Sequence, residues 1–136
     1  MASKLGTPLV GPVLSQIFGA ASYTPPATLQ IALFVVAPTD YNTGLGGTEA
    51  TGGSYARASV ANNATNFPPT ATRTTSNGTQ ISYPTPTASW GTVVAFGVYN
   101  ATGGAWLTGG DLTTNQTTVT GNPVQIAIGQ FVIGLP

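Results

Sequence analysis

The sequence predicts an all-β protein: one β-sandwich or jelly-roll-like domain over residues 1–136, with a short helix in an N-terminal arm of residues 1–26. Three observations carry this. Short runs rich in Val, Ile, Phe and Tyr recur from Thr28 to the C-terminus. Gly, Pro, Asn and Thr separate them, as in sandwiches and barrels. Helical spacing occurs only near the start, at Leu9, Val10, Val13, Leu14, Ile17 and Phe18.

In chain order, Pro12 suits a first helical position and Gly19 a left-handed cap, which predicts a helix over Pro12–Phe18. Pro25-Pro26 then enforces an extended approach to the first strand. Thr28–Val36 (TLQIALFVV) is apolar on both parities, so both of its faces should be covered. Tyr55–Val60 and Gln80–Tyr83 read as shorter strands. Thr92–Tyr99 (TVVAFGVY) is again apolar on both parities and should be central. Ala105–Thr108 follows a turn at Asn100–Gly104, and Gln116–Thr120 reads as a polar edge strand. Val124–Ile128 and Phe131–Leu135 close the chain. Their apolar residues fall on opposite parities, so a turn or bulge is required at Gly129-Gln130. Two long polar stretches, Ala37–Ser54 and Ala61–Asn77, interrupt the strands. Unstructured loops of that length are commonly functional or laid against something, and ordering by partners is expected.

The charge count excludes most chemistry. The chain has three Lys or Arg and three Asp or Glu, no His and no Cys. Imidazole bases, thiolate nucleophiles and Cys/His metal cages are therefore absent from the sequence. Charged residues are 4% of the chain, against about 25% in ordinary soluble domains. No basic patch points to nucleic acid or to anionic lipid, and no apolar run is long enough to span a membrane. Gly6, Pro8, Gly11 and Pro12 break the apolar stretch after Lys4, which argues against a secretion signal. An uncharged surface favours association, so a homo-oligomer is expected.

Candidate sites are few. Asp40, Glu49 and Asp111 have the oxygen ligands for Ca²⁺ or the two carboxylates of a glycosidase, but no motif gathers them. They read as turn caps and ion-pair partners, with Glu49 and Arg57 paired across a hairpin. Trp90 and Trp106 suit sugar stacking, and suit core packing better. The Gly44–Gly53 stretch lacks the Lys-Ser/Thr ending of a phosphate loop. Four Asn-x-Thr triplets, at Asn63, Asn77, Asn100 and Asn115, are what an Asn- and Thr-rich chain produces by chance. No catalytic, metal-binding or cofactor-binding residue is expected. The residues expected to contact a partner are Leu5, Leu9, Val13, Ile17 and Phe18 in the arm, and Leu45 and Phe67 in the two long loops.

Three segments resemble a known family over most of the chain and in the same order. They are Tyr23–Asp40 (YTPPATLQIALFVVAPTD), Gly47–Val60 (GTEATGGSYARASV) and Ser89–Thr114 (SWGTVVAFGVYNATGGAWLTGGDLTT). The family is a small virion protein family of tailed phages, commonly labelled phage tail fibre protein, whose members also serve as capsid decoration or cement proteins. Gly52–Arg57 and Trp90-Gly91-Thr92 are the most specific elements. The chain departs from the family at Asn100, where Asp is common, and at Asn122-Pro123, which replaces an acidic turn. The resemblance implies a virion structural protein with no catalytic residues. Together with the small size and the absence of a coiled-coil or repeat pattern for a shaft, it gives the expected role. That role is a capsid decoration (cement) protein outside the head shell, trimeric, with the major capsid protein or other virion proteins as partners. The alternative is a tail or tail-fibre component, such as a receptor-binding knob. A small polysaccharide-degrading enzyme is the third class.

Overall fold

The computed structural model describes residues 4–134. In chain order the elements are β1 (Lys4–Leu5), α1 (Thr7–Ile17), β2 (Thr28–Val36), β3 (Thr48–Glu49), β4 (Ala58–Ala61), β5 (Thr74–Ser76), β6 (Ile81–Ser82), β7 (Thr92–Asn100), β8 (Trp106–Thr117), β9 (Gln125–Ile126) and β10 (Val132–Gly134). The architecture is all-β and sandwich-like, as expected. One open antiparallel sheet runs β1-β8-β7-β2-β3, with β4 also paired to β2. Two ribbons, β5 with β10 and β6 with β9, accompany it.

β2 and β7 are the centre of the sheet, which is why both are apolar on both parities. Leu29, Ile31 and Leu33 of β2 join Phe96 and Val98 of β7 and Leu107 of β8 in the main core. That core continues into the ribbons through Ile81, Tyr83, Val124, Ile126 and Phe131. On the opposite face, Ala32, Phe34, Ala95 and Trp106 form a second cluster. Its cover is the loop that follows β2, which supplies Ala37 and Tyr41. The first long polar stretch is thus ordered largely by its own sheet. Asp40 pins it: one carboxylate oxygen accepts from the Asn42 N–H at 2.9 Å, the other from the Thr43 hydroxyl at 2.9 Å. The second stretch is tied in by β5 and by turns at Asn63, whose Oδ1 accepts from the N–H groups of Thr65 and Asn66.

Several boundaries differ from the sequence reading. The helix starts at Thr7, because Pro8 and not Pro12 occupies the first turn; Pro12 lies inside. Its end is as expected. Gly19 is left-handed at φ 70°, and the Ala20 N–H reaches the Ser15 carbonyl at 2.9 Å, closing a Schellman motif. The expected strands at Ala105–Thr108 and Gln116–Thr120 overlap the two ends of one twelve-residue strand, β8, which stops at Thr117. Gly109 lies within this strand, packed against the Trp106 ring. Thr118 leaves the strand to cap Trp90. The strand expected at Tyr55–Val60 begins only at Ala58, because Tyr55 uses its side chain elsewhere, as described below.

The parity argument at the C-terminus holds. Val124 and Ile126 are buried before the slip and Phe131 after it. Gly129 sits between them at φ 78°, inside a turn closed by the Gln130 N–H on the Ala127 carbonyl at 3.1 Å. Ile128 lies in that turn and is exposed. Leu135, the last residue of the expected strand, lies outside the described residues.

Candidate functional site

α1 is the feature that the fold does not account for. Thr7–Ile17 carries no charged residue, and none of its residues is buried. Its start is fastened to the body. The Gly6 N–H donates to the Leu107 carbonyl at 2.6 Å and the Thr7 N–H to the Asn42 carbonyl at 2.7 Å. Leu9 packs against the main core, and Val13, one turn on, is half-buried. Val10, Leu14 and Ile17 follow each other at helical spacing on the outer side, 44%, 50% and 66% exposed, and Phe18 beyond them is 80% exposed. A helix that is apolar all round normally has both sides packed. An isolated helix of this length is marginal in water. The outer side of α1 thus leaves Val10, Leu14, Ile17 and Phe18 exposed, with no cover among the described residues.

The expected contact residues divide accordingly. Ile17, Phe18 and Leu45 are exposed. Leu5 and Val13 are half-buried along the arm. Leu9 and Phe67 pack on the main core, Phe67 with its ring centroid 6.3 Å from that of Phe131. Val10 and Leu14 belong to the apolar spacing read from the sequence but are not among the expected contact residues. Their spacing from Ile17 was the available signal, but with α1 placed one turn too late Val10 fell outside it.

The three carboxylates have three separate occupations. Asp40 orders its loop. Asp111 accepts a hydrogen bond from the Tyr41 hydroxyl. Glu49 forms the expected pair with Arg57, through Nε and Nη2 at 2.8 Å each, although β3 and β4 each pair with β2 and not with one another as a hairpin. Among the described residues, no group of three or more Asp or Glu comes together as a metal site. Trp90 and Trp106 are buried, 5% and 6% exposed, so a sugar-stacking surface built on them is overturned. The Trp90 indole N–H donates to the Gly53 carbonyl at 2.9 Å, and that of Trp106 to the Tyr41 carbonyl at 2.8 Å.

The Gly52–Arg57 element has a structural task. Gly52, Gly53 and Ser54 are all left-handed, at φ 75°, 49° and 64°. This turn aims Tyr55 back at β2, in the gap between the partners β4 and β3. The Tyr55 hydroxyl accepts from the Leu33 N–H and donates to Glu49, both at 2.9 Å. A side chain thus satisfies a strand amide that no backbone reaches. The Tyr55 ring meets Trp90 edge-on at 5.1 Å, joining the two most specific sequence elements. Arg57, held by Glu49, lies 3.8 Å over the Tyr99 ring.

The ionisable groups that the fold perturbs are tyrosines. Burial raises the hydroxyl pKa of all five, Tyr23, Tyr41, Tyr55, Tyr83 and Tyr99, above the ordinary value of 10.0. Asp111 adds to the rise at Tyr41, and Glu49 at Tyr55, where the Leu33 N–H opposes it. A raised folded-state value favours the folded chain while the tyrosines are protonated. This contribution is full below pH 10 and is lost as pH rises toward the folded-state values. With no His in the chain, melting temperature should be flat from pH 6 to 9 and fall from about pH 10 upward. A thermal melt series that stays flat through pH 11.5 would contradict this account.

No curated protein matches the chain. A family profile described as Podophage GP4 fiber I protein gp80 matches residues 7–134, from the first residue of α1 to the last of β10. The segment-by-segment resemblance to phage fibre-type virion proteins and this end-to-end match coincide, and the chain belongs to the podophage GP4 fiber I protein gp80 family.

Proposed function

We infer that the chain is a non-enzymatic structural subunit of a podophage fibre, held in the virion through the outer side of α1. The exposed stripe Val10, Leu14, Ile17 carries this reading, together with Phe18. The chain exposes 7088 Å² and has six Asp, Glu, Lys and Arg side chains in all, so ion pairing offers little to an assembly. Apolar burial offers more: about 25 cal/mol for each Å² removed from water. Of the two placements expected from the sequence, the fibre fits the family description; decoration of the head shell, the first expectation, has no specific observation in its favour here. Self-association belongs to the same reading, with a closed trimer as the arrangement.

Leu14→Asp and Ile17→Asp test it, because both positions lie outside the core. Melting temperature should be nearly unchanged, while the sedimenting species falls to a monomer and the subunit disappears from purified particles. Sedimentation of the native chain at low and high salt should give the same oligomer, since apolar contacts are little screened. A variant that still assembles and is still incorporated would end this reading. Immunogold labelling of particles separates fibre from head shell, and copies over the whole head surface would restore the decoration role.

A further inference from the structure

Two adjoining hollows lie on the flank where β8 ends and β9 begins. The larger, about 410 Å³, is lined by residues 116–119 and 122–125. The smaller, about 130 Å³, is lined by residues 112–114, 116, 125–127 and 130. Gln116 and Gln125 border both, so the two form one groove with these amides at its waist. The larger hollow alone falls within the roughly 300–1,000 Å³ of small-molecule sites.

We propose that this groove binds a short segment of an uncharged saccharide through the side-chain amides of Gln116, Asn122, Gln125 and Gln130. All four residues are exposed. Among the described residues, none of these amides is taken up by a hydrogen bond within the chain. Each offers two N–H donors and a carbonyl acceptor, and sugar hydroxyls both donate and accept. No Asp, Glu, Lys or Arg lines either hollow, so nothing there neutralises a phosphate, a uronate or an amine. Leu112 and Ile126 supply the aliphatic wall that the C–H face of a sugar ring needs.

Two of the four amides stand on strands. Gln116 stands on β8 opposite Val93, and Gln125 on β9 opposite Ser82. Between them the floor is fixed by buried Thr118, whose hydroxyl accepts from the Trp90 N–H at 2.7 Å and donates to the Gly91 carbonyl at 2.9 Å. Neutral hydrogen bonds are individually weak, so one groove binds on the order of millimolar, and several grooves on one assembly are needed for avidity. The proposal rests on the fibre reading only for where the groove is displayed and for how many copies one assembly carries.

The test uses the purified full chain, independent of the virion. The labelled protein is applied to an array of bacterial surface glycans with uncharged, uronate-containing and phosphorylated members. Uncharged glycans should be bound. Gln125→Ala and the Gln116→Ala/Gln125→Ala pair should weaken binding, the pair by about tenfold. Melting temperature and sedimentation should stay native, and Thr72→Ala, remote from the groove, should bind as the native chain does. A blank array, binding confined to charged glycans, or binding that survives the double substitution overturns the proposal. So does a change of oligomer in the double variant, which would make the groove a contact between copies. Of these outcomes only the last bears on the α1 experiment, since it would place a contact between copies in the groove.

Discussion

Gly97→Ala should cost about 2–3 kcal/mol of stability, a large effect for one methyl group on a small domain. Gly97 lies in central β7, and a Cβ there would overlap the six-membered ring of Trp106 and lie 2.9 Å from Phe34 Cε2. The ring has nowhere to go. Its N–H is bonded to the Tyr41 carbonyl at 2.8 Å. Its edges meet Phe34 at 6.2 Å and Tyr99 at 5.3 Å. Gly44 and Gly109 close the other approaches; a Cβ at Gly109 would stand 2.5 Å from Trp106 Cη2. Three glycines from a loop and two strands thus make the space for one indole, and the indole holds the covering loop on the sheet. Trp106→Ala should cost about 3–5 kcal/mol by removing that ring. The cause is separable by a double-mutant cycle. In a Trp106→Leu background the Gly97→Ala penalty should shrink, because the overlapping atoms are gone. Gly11→Ala is the control: its added Cβ meets nothing within 4 Å, and it should gain about 0.5–1 kcal/mol from helix propensity. Urea midpoints measure all of these. A Gly97→Ala penalty under 0.5 kcal/mol, or one unchanged by Trp106→Leu, would show that the ring is not confined.

The same packing marks where the sequence stops being legible. β2 and β7 were readable to within one residue, since apolar runs on both parities occur only where both faces are covered. The turn at Gly129 was readable because a parity slip admits few geometries, and the Glu49–Arg57 pair because partners were so scarce. β8 was read as two strands, because its middle carries Gly109, Gly110 and Asp111, residues of low strand propensity, and the Trp106 ring that Gly109 admits is a tertiary contact. The outer stripe of α1 was visible as spacing, but its exposure was not: Leu9 and Val10 are adjacent apolar residues, and only the position of the sheet decides which faces out. The amide groove was invisible, since Gln116 and Gln125 meet through a turn at residues 118–124 whose course depends on Thr118 capping Trp90.

Asn77→Asp should be the most damaging of the near-isosteric changes, at about 3–5 kcal/mol near neutral pH. Asn77 is 2% exposed. Its side-chain carbonyl accepts from the Phe131 N–H at 3.0 Å, and its amide donates to the carbonyls of Thr79 at 2.7 Å and Ala127 at 3.0 Å. Its backbone bonds the same turn twice more, to the Phe131 carbonyl at 3.2 Å and from the Gly129 N–H at 3.0 Å. One residue therefore pins the end of the second long loop to the turn that carries Phe131 into the core. Asp keeps the shape and one acceptor but loses both donors. It leaves two buried carbonyls unpaired and places a negative charge between them. The same surroundings raise the pKa of the new carboxyl in the folded chain above its unfolded value. Its protonated form is thus favoured by folding, and the stability deficit should shrink as pH falls from 7 to 4, when one donor returns. Asn77→Ala introduces no charge, so its deficit should not show this recovery. Denaturant unfolding of the three proteins at both pH values decides the matter. A deficit for Asn77→Asp below 1 kcal/mol at pH 7, or one that grows on acidification, would mean that the Asn77 amide is not what joins the loop to the turn.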